Sequence, residues 1–231
     1  MKTRCIIICG GEATRWNNYL GVPKHLIKIE DETLIGRLVR QLKSEEREIY
    51  IVTKKKDKRY DIEGSKQYVA KIDYKNNADA DKFLSSKSLW NKDGRTIVFY
   101  GDVWFSDEAI ETILAHKGKD WILFGRSTAS SITGCGYGEC FAQSFYPKDL
   151  AIHEQNLHKI ARAYQSNAID RCGGWEHYRA MAGLPLKGHK VRGFFKNIND
   201  FTEDFDTPED YISWIYKRSI YLSEKNNKWK Y

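Results

Sequence analysis

Three short strings in this 231-residue chain set residues able to handle phosphate and metal just beyond apolar runs. The first is Gly10-Gly11-Glu12-Ala13-Thr14-Arg15, directly after an apolar run over 5–9. A glycine turn there leaves backbone N–H groups free to point at a phosphate. The spacing is not that of a P-loop, since no Gly-Lys-Ser/Thr closes it, nor of a GxGxxG dinucleotide turn. What sets it apart is Arg15 with Pro23-Lys24 following in the same segment. A guanidinium and an ammonium over one loop can neutralise a polyphosphate and the charge that develops as it is cleaved. The second string is Gly101-Asp102, after an apolar run over 96–100, and the third is Glu203-Asp204-Phe205-Asp206-Thr207-Pro208. Asp102 and Asp206 could together hold a hard divalent cation such as Mg²⁺, which takes one or two carboxylates plus substrate phosphate oxygens. Each string also has a plain structural reading: a glycine turn with surface cations, a turn aspartate, an acid complementing a helix dipole.

These residues need elements that bring them together. The run over 5–9 suits a strand buried on both faces, as in a parallel sheet. Thr33 can cap a helix whose stripe is Leu34, Ile35, Leu38, Val39 and Leu42. Strands are expected over 48–53, 96–100, 121–125 and, more weakly, 67–72, with a short helix over 79–90. Ser106 can cap a helix carrying Ile110, Ile113 and Leu114. The alternation predicts a doubly wound, mostly parallel α/β sheet in the first half. Beyond it, 134–138 reads as a loop, 150–164 and 175–181 as helices and 193–198 as a strand. Thr207-Pro208-Glu209-Asp210 is a helix start with a cap, a proline and first-turn acids. The chain reads as one domain: a nucleotide-binding half over 1–125, an acceptor-side portion over 126–205, and a C-terminal helix and tail over 206–231. Ligands in such sheets bind beyond the carboxyl ends of the strands.

Composition narrows the class. With 41% apolar residues and only 4 prolines, the chain is expected to fold, and no apolar run is long enough for a membrane helix. Five cysteines, an odd number, point to free thiols in a reducing cytoplasm. The formal charge of +7 asks for an anionic partner, but the runs 54–59 and 217–231 carry +4 each and leave the rest at −1. Those runs read as solvated surface rather than as a nucleic-acid reader.

Four strings, in order, resemble the superfamily of nucleotidyltransferases that act on phosphorylated acceptors, of the sugar-phosphate and short cytidylyltransferase type. They are ICGGEATRW, VPKHLIKIEDETLIGRLVRQL, FYGDV and DFDTPEDY. The resemblance implies a Rossmann-like nucleotidyltransferase fold and transfer of a nucleotidyl group from an NTP, with release of pyrophosphate. It implies that Gly10, Gly11 and Thr14 wrap the triphosphate and that Arg15 binds its β- and γ-phosphates. Lys24 would contact the α-phosphate and the acceptor phosphate, and Asp102 and Asp206 would hold Mg²⁺. Ser85 or Ser86 matches a residue that contacts the nucleotide. Ala13 departs from the pattern, standing where glycine is usual. The likeness to short cytidylyltransferases favours CTP slightly, and the acceptor would be a sugar phosphate or a small phosphorylated alcohol.

Other signals are weaker. Glu176 and Arg179 lie at i, i+3 beside Trp175, and the three could line an acceptor pocket or form a surface ion pair on a packed tryptophan. His153 and His158, at i and i+5, point too far apart on a helix to share a metal, and read as helix surface. Cys135 and Cys140 read as loop thiols, and the aromatic residues over 211–221 as core packing. Two other classes compete: a glycosyltransferase using Asp204 and Asp206 on an NDP-sugar, and a non-catalytic nucleotide- or nucleic-acid-binding module using the basic runs.

Overall fold

A computed structural model describes residues 2–11, 13–71 and 80–228. In chain order, β1 (Thr3–Ile8) leads through short 3₁₀ turns to the hairpin β2 (Lys28–Ile29) and β3 (Glu32–Thr33) and to helix α1 (Leu34–Leu42). Then come β4 (Arg47–Thr53), β5 (Lys66–Val69), α2 (Ala80–Leu84), β6 (Thr96–Tyr100), β7 (Val103–Trp104) and α3 (Asp107–Ala115). The second half has β8 (Ile122–Arg126), β9 (Glu139–Phe145), α4 (Leu150–Gln165), α5 (Gly174–Met181), β10 (Phe195–Asn197), β11 (Glu203–Asp204) and α6 (Pro208–Lys228).

Seven strands form one sheet in the order β10-β8-β9-β6-β1-β4-β5. Its pairs are parallel except those of β9, which runs antiparallel to both β6 and β8. This is the doubly wound, mostly parallel sheet expected. The sequence reading did not foresee β9. A bulge between Phe124 and Gly125 accompanies its entry, and the long loop before it gives no hairpin signal. Ile72 and Asp79, ends of an expected strand and helix, lie outside the described residues, as does Glu12.

Side chains alternate across the strands and so make two cores. Cys5, Ile7, Ile49, Ile51, Ile97 and Phe99 pack under Ile35, Leu38, Val39 and Leu42 of α1 and Ala109, Ile110 and Ile113 of α3. Ile6, Ile8, Val52 and Val98 pack on the opposite face against Phe83, Leu157, Ile160 and Tyr178 from α2, α4 and α5. Burying each large aliphatic side chain contributes about 1.5–3 kcal/mol. The expected caps form: the Thr33 hydroxyl accepts from Gly36 N–H at 3.0 Å, and Ser106 accepts from Ala109 N–H at 2.9 Å. Each is worth about 1 kcal/mol against alanine.

A third cluster ties the two ends of the chain to the first loop. Trp16, Ile27, Ile29 and Leu34 pack with Trp104, Phe205 and Trp214. Of the aromatic residues in α6, Trp214 is core, whereas Tyr216 is exposed, so the expectation of packed aromatics holds only in part. His153 corrects the surface reading of its helix. It is buried between Trp90 and Phe145, while His158 is exposed. Cys140 lies in β9, not in a loop, and Cys135 is in the loop before it; all five cysteines are free.

Candidate active site

Strands β1 and β6 are parallel neighbours, so the segments after them leave the same rim. Their ends come close: Gly101 N–H donates to the Ile8 carbonyl at 3.1 Å. A Cβ on Gly101 would sit 2.5 Å from Cys9 Sγ, so only glycine fits. After β1, the loop winds through the left-handed region at Ala13 (φ 50), Asn17 (φ 46), Asn18 (φ 53) and Leu20 (φ 58). Left-handed backbone costs a non-glycine residue about 1 kcal/mol, so this loop stores strain. Trp16 anchors it. The buried indole donates to the Tyr19 and Val22 carbonyls at 3.2 and 3.0 Å. That delivers Pro23 and the 3₁₀ turn Lys24–Leu26 to the rim.

The third string arrives through a short antiparallel pair. Glu203 faces Trp104 and Asp204 faces Val103, and Phe205 N–H donates to the Asp102 carbonyl at 3.2 Å. Alternation along the strand turns Phe205 into the core and Asp204 and Asp206 to the other side, with Asp102. Carboxylate oxygens of Asp102, Asp204 and Asp206 lie within 4.8 Å of one another. Two cations meet them: Lys24 Nζ is 2.5 Å from Asp102 and 3.1 Å from Asp206, and Arg15 is 2.5 Å from Asp206. Lys24 is almost fully enclosed, its side chain 7% exposed, whereas that of Arg15 is 66% exposed.

The electrostatics follow. Burial pushes the Asp102 carboxyl up, but Lys24 and His25 outweigh it and hold the group below the usual carboxylate range. Burial lowers the Lys24 ammonium, and Asp102, Asp206 and Asp204 more than reverse that. Asp204 lacks such a partner. Burial, then Glu139 and Asp206, hold its carboxyl well above the ordinary value. Three converging acids, one of them unwilling to ionise alone, are a donor set that favours a hard cation. Oxygen ligands of this kind suit Mg²⁺.

These groups line a cavity of about 410 Å³. Of the residues singled out in the sequence, Gly11, Thr14, Arg15, Lys24, Asp102, Asp206 and Trp175 face it. Gly10 is not among the lining residues. Ser85 and Ser86 are spent elsewhere: their hydroxyls donate to the Lys82 and Phe83 carbonyls at 2.6 and 2.7 Å. Neither reaches the cavity. Glu176 and Arg179 do not line this cavity; they line a separate one with Asn167, Ile169 and Leu186. They pair with each other, while Glu176 accepts from Gly173 N–H at 2.9 Å and Arg179 donates to the Leu186 carbonyl at 2.7 Å. Asp204, singled out only for the glycosyltransferase alternative, lines the cavity too, as do Glu139, Lys82, Phe83 and Tyr100, which the sequence did not single out. The acid–apolar–acid alternation of 204–206 carried a signal for Asp204. Glu139 had none, because its strand was not foreseen.

Fold and site together put a glycine-containing loop, two cations and three acids on one rim of a mostly parallel α/β sheet. Residues 5–124, just over half of the chain, match the family described as MobA-like NTP transferase domain. The chain belongs to this family and is a nucleotidyltransferase. Sequence comparison with curated proteins gives no match. Among solved structures, the chain is similar to a UDP-glucose pyrophosphorylase complexed with UDP-glucose, with a TM-score of 0.64 at 14% identity, covering 96% of this chain and 100% of that one. It is similar to the CTP:phosphocholine cytidylyltransferase of Streptococcus pneumoniae, with a TM-score of 0.53 at 14% identity over 92% and 97% of the two chains. It is also similar to the inositol-1-phosphate CTP transferase of T. maritima, with a TM-score of 0.52 at 12% identity over 91% of each. At these identities the likeness establishes the fold. Among the described residues no helix is long and apolar enough to cross a membrane.

Proposed function

We propose that this protein transfers a nucleotidyl group from an Mg²⁺-bound NTP to a phosphorylated small molecule, a sugar phosphate or a phosphorylated alcohol, and releases pyrophosphate. The observation that carries the reading is Lys24, enclosed between Asp102 and Asp206 at the mouth of the Gly11–Arg15 loop. An acceptor phosphate is already an anion at neutral pH, so its oxygen attacks the α-phosphorus without a general base. A new P–O bond forms there, the α–β bridging P–O bond breaks, and both electrons leave with pyrophosphate. The protein's task is to overcome repulsion between two anions and align them.

Asp102, Asp204 and Asp206 would hold Mg²⁺, which supplies charge neutralisation at the phosphates. With the acids so neutralised, Lys24 can exchange carboxylate for the α-phosphate and acceptor oxygens. Arg15, the exposed cation, is placed to take the leaving phosphates. Gly11 and Thr14 give the loop its close approach to the triphosphate. Main-chain donors and cations fixed in advance lower the barrier because they need no rearrangement as charge develops.

The test is thermal unfolding with each NTP in the presence of Mg²⁺, followed by pyrophosphate release with a panel of acceptor phosphates. Binding to the native state raises Tm by mass action. Stabilisation by an NTP only with the metal, with CTP the first expected, supports the reading. Turnover of an NDP-sugar, with no response to any NTP, overturns it in favour of a glycosyltransferase. The family membership and the placement of Asp204 beside Asp102 favour nucleotidyl transfer over that alternative.

A further inference from the structure

Helix α6 (Pro208–Lys228) carries two apolar faces, and the core takes one of them. Trp214 is buried against Trp104 and Phe205. Arg218 lies over the Trp104 ring at 5.3 Å and pairs with Glu30 at 2.7 Å. On the other side Ile212, Tyr216 and Ile220 are 52, 64 and 38% exposed. At about 100° per residue these three fall within about 80° of one another, a single stripe along the helix, while Trp214 points roughly the opposite way. Residues four apart form the ridges by which helices pack on one another. The serines on this face are already satisfied: Ser219 Oγ donates to the Tyr216 carbonyl at 2.8 Å and Ser223 Oγ to the Ile220 carbonyl at 2.7 Å. Covering the stripe therefore strands neither hydroxyl.

The stripe reads alike in both directions. Ile212 and Ile220 stand four residues either side of Tyr216, and Ser213 and Ser219 three residues either side. A two-fold axis beside Tyr216 sets Tyr216 on its own copy and Ile212 of one chain on Ile220 of the other, apolar on apolar at every contact. Charge asks for the same orientation. Residues 208–214 carry −2, from Glu209 and Asp210, whereas residues 215–228 carry +3, four bases against Glu224. An antiparallel copy lays acidic half over basic half and opposes the two helix dipoles, while a parallel copy sets like on like. An anionic lipid surface would attract the basic half alone and repel Glu209, which is exposed at the acidic end of the helix.

We propose that this face of α6 is the interface of a homodimer, in which two copies of the chain pair antiparallel through Ile212, Tyr216 and Ile220 about a two-fold axis at Tyr216. One helix face of this length offers less than the ~800 Å² per partner of a standard interface, so the dimer forms at micromolar concentration rather than permanently.

Sedimentation velocity of the full chain from about 1 to 200 µM tests this. The mass should rise with concentration from 26.9 kDa towards twice that value. Tyr216→Lys, which sets a charge against its own copy, should weaken association by at least about tenfold. Because Tyr216 is largely exposed in the single chain, the variant should keep the native Tm at the lowest concentration. Cysteine cross-linking reads the orientation. With an added oxidant, Tyr216→Cys should link to its own copy, and Ile212→Cys should link to Ile220→Cys when the two are mixed. The native chain controls for its own partly exposed Cys135. Self-linking of Ile212→Cys or of Ile220→Cys beyond that control means a parallel pair and overturns the proposal. So does an association that Tyr216→Lys leaves unchanged. A chain that stays monomeric throughout also rejects the dimer. If that monomer sediments with phosphatidylglycerol vesicles but not with phosphatidylcholine ones, and an Ile212→Ser, Ile220→Ser variant does not, the face belongs to an anionic membrane instead.

Discussion

Lys24 links two carboxylates that would otherwise repel each other, and its sequence context explains why it can. Proline before it fixes the approach, and the tryptophan-anchored loop carries it under the rim. Its removal has two separable consequences. Lys24→Met should lower turnover by roughly 100-fold or more, the scale of losing one preorganised group that meets developing charge. It should also destabilise the protein by about 3 kcal/mol, because Asp102 and Asp206 lose their enclosed partner. Urea unfolding with and without Mg²⁺ separates the effects: added Mg²⁺ should restore much of the stability and little of the turnover. A variant retaining turnover within about threefold would reduce Lys24 to a structural ion-pair partner. Ala13 makes a second case at this scale, because its φ of 50 suits glycine. Ala13→Gly should keep activity, whereas Ala13→Val, a β-branched residue in left-handed backbone, should lose it together with at least about 1 kcal/mol of stability. Steady-state rates and Tm of the pair check this. The sequence could show that glycine was missing at position 13; only the backbone angle shows what the absence costs.

Among the elements, those with a strong local period were legible and those defined by distant pairing were not. Helix α1 announces itself by its stripe and its Thr33 cap, and β1, β4 and β6 by buried runs between turn residues. Strand β9 has no such mark, since one partner, β6, lies far back in the chain, the loop from β8 is too long for a hairpin signal, and its polar residues, Glu139, Gln143 and Ser144, interrupt the run. That omission hid Glu139. The i, i+3 spacing of Glu176 and Arg179 correctly put the two side chains together, but spacing on an isolated helix could not tell which way the shared face turned. It turns to the Leu186 carbonyl and to the separate cavity there. The approach of β1 and β6 gives a sharp prediction at this scale. Gly101→Ala would place a methyl 2.7 Å from the Ile8 carbonyl oxygen as well as against Cys9 Sγ. Relief requires the strand ends to part, so the variant should lose about 1–3 kcal/mol. It should also weaken nucleotide binding, because Asp102 rides on that turn. Denaturant midpoints and NTP titrations test the two together; an unchanged midpoint would mean the strand ends yield freely.

At the scale of the whole molecule, the sheet and the helices covering it meet through two buried histidines. His153 of α4 and His177 of α5 touch edge to face at 4.6 Å. Around them stand Trp90, Phe145, Phe83 and Trp121, with no charged side chain among these ring neighbours. No ring nitrogen of either has a hydrogen-bond partner. Burial holds His153 well below its ordinary value and lowers His177 to about 3. The folded protein therefore keeps both neutral, while the unfolded chain protonates both near 6.5. Below that value the unfolded state binds more protons, so stability rises with pH across the window from about 3 to 6.5. Above 6.5 the contribution is complete, and it is lost as the pH falls. Each histidine can account for about 1.4 kcal/mol per pH unit in that window. Acidification also raises the net charge of a chain that already carries +7, and self-repulsion lowers stability as well. A paired measurement separates the causes. Unfolding free energies of the native chain and of a His153→Leu, His177→Leu variant, both followed from pH 7.5 to 4.5, share the same surface charge. The native chain should lose stability more steeply below pH 6.5, by up to about 3 kcal/mol per pH unit if both histidines stay neutral. Equal slopes would assign the acid lability to repulsion across the surface and remove the histidines as its cause.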